Sequence, residues 1–201
     1  MRSWSDKVDH TESMMEASGM NDIDGETLHR AYKKAVEVVE KIRGVPDDYR
    51  VLMSRVVVGF HVPEGAEDAV FFCGSLGGKL VAVGFNPRWK GTGLYREITE
   101  SDQFFELVVA GLSHEIGHVL GLDQEGAFRL DVQCFEYLLR EKGTGEFGEE
   151  EQRKIETFVA DRTEDIPEPR PDYLRILRDN DPRSFFRREH LCFLVDVTKP
   201  E

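Results

Sequence analysis

Apolar positions along the chain change their spacing three times, and each change marks a different element. Between residues 25 and 43, Leu28, Ala31, Tyr32, Ala35, Val39 and Ile42 recur every three or four positions, with Lys33, Lys34, Glu37, Glu40 and Lys41 on the other side. That spacing predicts an amphipathic helix, with Asp24 as its N-cap and Gly44 followed by Pro46 as its stop. Residues 55–62, 69–73 and 79–85 are instead short β-branched or aromatic runs, ended by Pro63 and by Asn86-Pro87. They predict strands, and the glycine-containing stretch 74–78 predicts a hairpin between the last two. Residues 88–100 read as a loop. From about residue 104 to 120 the chain becomes apolar on nearly every side, which predicts a buried helix capped by Ser101 and ended by Gly121.

Helical spacing resumes over residues 124–142, with Asp123 as cap and Gly143 as stop. A further helix over 148–162 carries a narrow stripe of Ile155, Phe158 and Val159. The proline-rich run 166–171 is a stiff linker, followed by a short helix near 171–179 and a strand near 191–195. Residues 1–23 are polar and aperiodic, although Met14, Met15 and Met20 lie among them. The expected organisation is a flexible arm over 1–23, one α+β domain over 24–162, and a C-terminal extension over 163–201 packed on it. Within that domain an N-terminal backing helix and a small antiparallel sheet precede the buried helix and further helices.

The buried helix carries the chemistry. Residues 114–118 read His114-Glu115-Ile116-Gly117-His118. Positions i and i+4 lie one above the other on a helix, so both imidazoles project from one face and can hold one zinc ion. Glu115 lies within reach of a zinc-bound water, whose proton a carboxylate can take. In so apolar a helix these three polar groups need partners, because unpaired buried polar groups are costly. A metal satisfies all three; the alternative is two core histidines bonded to backbone carbonyls, with Glu115 at a crevice.

The run His114-Glu115-Ile116-Gly117-His118-Val119-Leu120-Gly121-Leu122 resembles the active-site helix of the zincin metallopeptidases, and the element order is similar to that family's core. The resemblance implies a zincin-like fold, a Zn²⁺ cofactor, a peptide or protein substrate, and Glu115 as general base. It also implies a strand at the sheet's edge that pairs with extended substrate, for which residues 79–85 are the candidate. A zincin-like module that binds zinc or a protein partner without catalysis is the alternative.

Catalytic zinc takes three protein ligands, and the motif supplies two. The metzincin pattern H-E-x-x-H-x-x-G-x-x-H fits through Gly121 but meets Gln124 at its last position, a neutral amide that is a poor zinc ligand. Asp123 and Glu125 flank it. On the next helix Ala127, Cys134, Phe135 and Leu138 share a face with Asp131, at about 100° per residue. Asp131 is thus expected at the centre of an apolar stripe, where a carboxylate must be paired or metal-bound. It is the favoured third ligand, completing a set of His114, His118 and Asp131. Its alternative role is to orient one of the two histidines. Glu156 and His190 are more distant candidates, and His61, Tyr95 and His190 are the residue types available to stabilise an oxyanion.

Composition narrows the partners. The 201 residues carry a net charge of −13, which argues against nucleic acid. The one basic run, residues 183–188, is explained as a solvated helix face. Three scattered cysteines without a C-x-x-C pair predict a reducing compartment. With no apolar leader and no run of membrane-spanning length, the expected location is the cytoplasm, away from the membrane.

Overall fold

The computed structural model describes residues 21–142, 173–184 and 192–198. Among them are six α-helices and one four-stranded sheet, an α+β arrangement. Helix α1, Gly25–Ile42, begins where Asp24 accepts a hydrogen bond from the Thr27 N–H at 2.7 Å, and it buries Leu28, Ala31, Tyr32, Ala35, Val36, Val38 and Val39. A single turn of helix, α2 (Tyr49–Met53), packs beneath it. The buried phenols of both elements are satisfied by backbone: Tyr32 donates to the Met53 carbonyl at 2.8 Å and Tyr49 to the Val36 carbonyl at 3.3 Å.

The sheet contains β1 (Val57–Gly59), β2 (Phe71–Leu76), β3 (Leu80–Phe85) and β4 (Cys192–Leu194), in the spatial order β2-β3-β1-β4. β2 and β3 form the expected hairpin, but the turn is shorter than the glycine run suggests: β2 continues to Leu76, and Gly77 and Gly78, both at positive φ, make the reversal. β1 and β3 run parallel, with Val57 opposite Ala82, while β4 lies antiparallel on the other side of β1. The sheet is therefore mixed, not antiparallel as expected. Residues 79–85 are not an edge either. β3 lies between β2 and β1 and is buried from Val81 to Phe85, so β2 and β4 form the edges.

Two short elements replace the expected loop over 88–100: a 3₁₀ turn, Pro87–Trp89, and helix α3, Gly93–Thr99, capped by Thr92. Helix α4, Phe104–Val119, starts three residues after its expected cap. The Ser101 hydroxyl instead accepts from the Gln103 N–H at 3.1 Å and shapes the approaching turn. α4 packs on α1, on β2 and β3, and most extensively on α5, Gln124–Glu141. Gly111 lets it sit against β2, since a Cβ there would overlap the Phe71 ring. Where α4 meets α5, a Cβ on Gly117 would stand 3.3 Å from the Ala127 Cα. Helix α6, Tyr173–Asp179, packs against β3 and α2.

Ile23, assigned to the arm, is fully buried, and its N–H donates to the Tyr95 hydroxyl at 3.4 Å. Farther along, Tyr173, Ile176, Leu177, Val195 and Val197 belong to the same buried cluster as α1 and α4. Residues 1–20 of the arm, the helix over 148–162, the linker over 166–171, Glu156 and His190 lie outside the described residues. Among the described residues no helix is long and apolar enough to cross a membrane.

Candidate metal centre

The hinge between α4 and α5 builds the centre. Leu120 caps α4, and Gly121 follows at φ 87°, a left-handed conformation that glycine adopts without steric cost. The Gly121 N–H donates to the His118 carbonyl and the Leu122 N–H to the Gly117 carbonyl, both at 3.0 Å. These two bonds form a Schellman motif, which closes the helix and turns the chain back. Asp123 then starts α5 by accepting from the Gly126 N–H at 2.8 Å. The glycine three positions beyond His118 thus fixes two things: the Leu122 carbonyl and the first residue of the returning helix, Gln124.

His114, Glu115 and His118 lie on the buried length of α4, at 4, 8 and 6% exposure. The histidine rings meet edge to face, 4.7 Å between centroids, and Phe128 of α5 closes the side of His114 at the same separation. His118 Nδ1 is 3.1 Å from the Leu122 carbonyl oxygen. A carbonyl can only accept, so this nitrogen carries a proton. His114 Nδ1 is 3.1 Å from Asp131 Oδ2, so it too donates, to the carboxylate. In their neutral forms both rings therefore present an unprotonated Nε2. Those two Nε2 atoms are 3.1 Å apart.

Two lone pairs held face to face repel one another. A cation between them removes the repulsion; a proton does the same at the cost of charging one ring. Ligands about 2.0–2.1 Å from a tetrahedral zinc stand about 3.3 Å apart, close to what the fold imposes on these nitrogens. The donor pair fits a divalent metal.

Asp131 is as buried as expected, at 5%, but it sits on the other nitrogen. Its carboxylate engages Nδ1 of His114, on the far edge of the ring from the convergent Nε2 atoms. The contact is the one expected of Asp131 in its alternative role, orienting a histidine, while the ligand set of His114, His118 and Asp131 stays an expectation. Among the described residues no third His, Cys, Asp or Glu joins the pair as a metal-holding group. Asp123 is used as a helix cap. Glu125 points to solvent and pairs with Arg129 one turn on. The side chain that does reach the pair is Gln124, whose Nε2 is 3.3 Å from His114 Nε2. Its Oε1 is buried and has no hydrogen-bond partner among the described residues. Gln124 is the residue that meets the last position of the metzincin pattern, set aside there as a poor zinc ligand.

Ser113 donates to the Val109 carbonyl at 2.9 Å. Beside it on α5, Cys134 is fully buried, and burial pushes its thiol up to about 12, so it stays protonated. Tyr95 is occupied elsewhere: its hydroxyl is bonded to Asp22 beside the Ile23 backbone, and burial raises it above the usual phenol range. His61 is exposed in the segment after β1. Neither is placed by a described contact at the histidine pair. Comparison with protein-family models, with curated proteins and with solved structures finds no match to this chain.

Proposed function

We propose that the chain is a zinc-dependent metallopeptidase of zincin type, with the metal on His114 and His118 and a peptide or protein as substrate. The observation that supports this most directly is the pair of Nε2 atoms 3.1 Å apart, each left unprotonated in the neutral ring by a donor bond at the ring's other nitrogen. A divalent cation bound there acidifies a water molecule and polarises a carbonyl. The chain's own side chains do the rest. Glu115 accepts the water's proton and delivers it to the leaving amine. Asp131 and the Leu122 carbonyl keep both rings in the tautomer that leaves Nε2 available, and so keep the rings from turning. The apolar packing of α4 excludes bulk water from around the pair, which strengthens every electrostatic interaction inside.

A second reading is kept by the lack of an acidic or imidazole third ligand among the described residues: a zincin-like module in which the metal only fastens α4 to α5. One substitution separates the two. Protein prepared without a His-tag is expected to carry about one equivalent of zinc and to cleave fluorescently labelled casein. Glu115→Gln should keep the zinc and lose about 10²–10⁴-fold in rate. Equal casein cleavage by wild type and Glu115→Gln, with zinc present in both, would leave only the structural module.

A further inference from the structure

We infer that Gln124 supplies the third metal donor through its side-chain oxygen, giving a site built from neutral donors only. The inference rests on the metal assignment above and names a residue that the motif does not contain. Gln124 is the first residue of α5, delivered to the histidine pair by the Gly121 turn and the Asp123 cap. Its amide nitrogen is 3.3 Å from His114 Nε2, and its oxygen is buried without a partner among the described residues. A buried acceptor left unpaired costs about 1–3 kcal/mol.

The two ends of an amide exchange places by a half-turn about the last side-chain bond, and they are nearly alike in size. With nitrogen inward, the amide donates to His114 and strands its oxygen. With oxygen inward, three acceptors surround one point: two imidazole nitrogens and an amide oxygen. Only a positive charge reconciles them. Gln124 is thus a two-position group, donating to His114 when the metal is away and ligating through oxygen when it is bound. The competing acids are committed elsewhere: Asp131 to His114 Nδ1, Asp123 to its cap, and Glu125 to Arg129 at the surface.

None of the three donors carries charge. The cation therefore keeps its full formal charge, and it is held less tightly than by a carboxylate-containing or three-histidine set. This chain should bind zinc measurably more weakly than its own Gln124→His variant, which places a third imidazole at the same point.

The test uses the full chain and measures zinc affinity by competition with a chromophoric chelator, with Co²⁺ absorption as the reporter of coordination. Folding of each variant is checked by circular dichroism. Gln124→Ala should weaken zinc binding by at least about 10-fold and change the Co²⁺ spectrum, and Gln124→His should tighten binding by at least about 10-fold. If Gln124→Ala binds zinc like wild type, with an unchanged Co²⁺ spectrum, Gln124 is not a ligand, while the histidine pair still is. If neither wild type nor Gln124→His takes up zinc, the metal assignment itself fails, and the role of Gln124 falls with it.

Discussion

The helix hairpin α4–α5 and the four-stranded sheet are built on opposite principles. The hairpin is contiguous: every side chain that shapes the candidate centre lies between His114 and Asp131, and one glycine turn brings them together. The sheet is assembled from distant pieces. β1 needs β3 on one side and β4 on the other, and β4 comes from the far end of the described chain. In the hairpin, buried polar groups set the geometry. In the sheet, apolar packing and backbone pairing do. The lesson is that chemistry written locally survives with little help from global architecture, whereas sheet order depends on contacts that no local pattern encodes.

Three substitutions probe that division. The largest effect is expected at Asp131, inside the hairpin. Asp131→Asn removes the carboxylate that receives the His114 proton, and zinc affinity should fall about 10–100-fold, or about 1.4–2.7 kcal/mol. Titration against a chelator measures this; an unchanged affinity would show that His114 needs no orienting partner. Next comes Gly111→Ala, at the seam where the two regions meet. The new methyl overlaps the Phe71 ring, so overpacking should destabilise the fold by about 1–2 kcal/mol. Urea unfolding should show the loss while zinc stoichiometry stays at its wild-type value. A loss of metal in a folded Gly111→Ala protein would mean that hairpin and sheet are coupled. The smallest effect belongs to Gly121→Ala, which forces a side chain into left-handed backbone for about 1 kcal/mol. Thermal melting reports the strain. A simultaneous fall in zinc affinity would tie it to the Leu122 carbonyl that holds His118.

The same division explains what the sequence made legible. The limits of α1 and α5 follow from Asp24 and Asp123, whose side chains do cap those helices, and from helical spacing long enough to count. α2 and α3 escaped because five and seven residues hold too few turns to show a period. The buried position of Asp131 follows from its neighbours on one helical face. Which histidine nitrogen it meets does not, because a helical wheel gives direction around the axis and nothing about depth. Gln124 was marked by the metzincin spacing and set aside on ligand chemistry, since its stranded oxygen is visible only in three dimensions. The parallel pairing of β1 with β3 joins strands separated by the whole of β2, and the hairpin signal between β2 and β3 says nothing about where β1 lies.

The placement of β4 has a consequence for how the chain comes off the ribosome. Synthesis proceeds from the N-terminus, so β1 and the hairpin beside it emerge long before residues 192–194. Until those arrive, the outer backbone edge of Val57-Val58-Gly59 has no partner strand. An uncovered β-branched edge is a template for another chain. The nascent protein is accordingly most prone to self-association late in translation. Shortening it ahead of residue 192 should send it into inclusion bodies even with the helical hairpin intact.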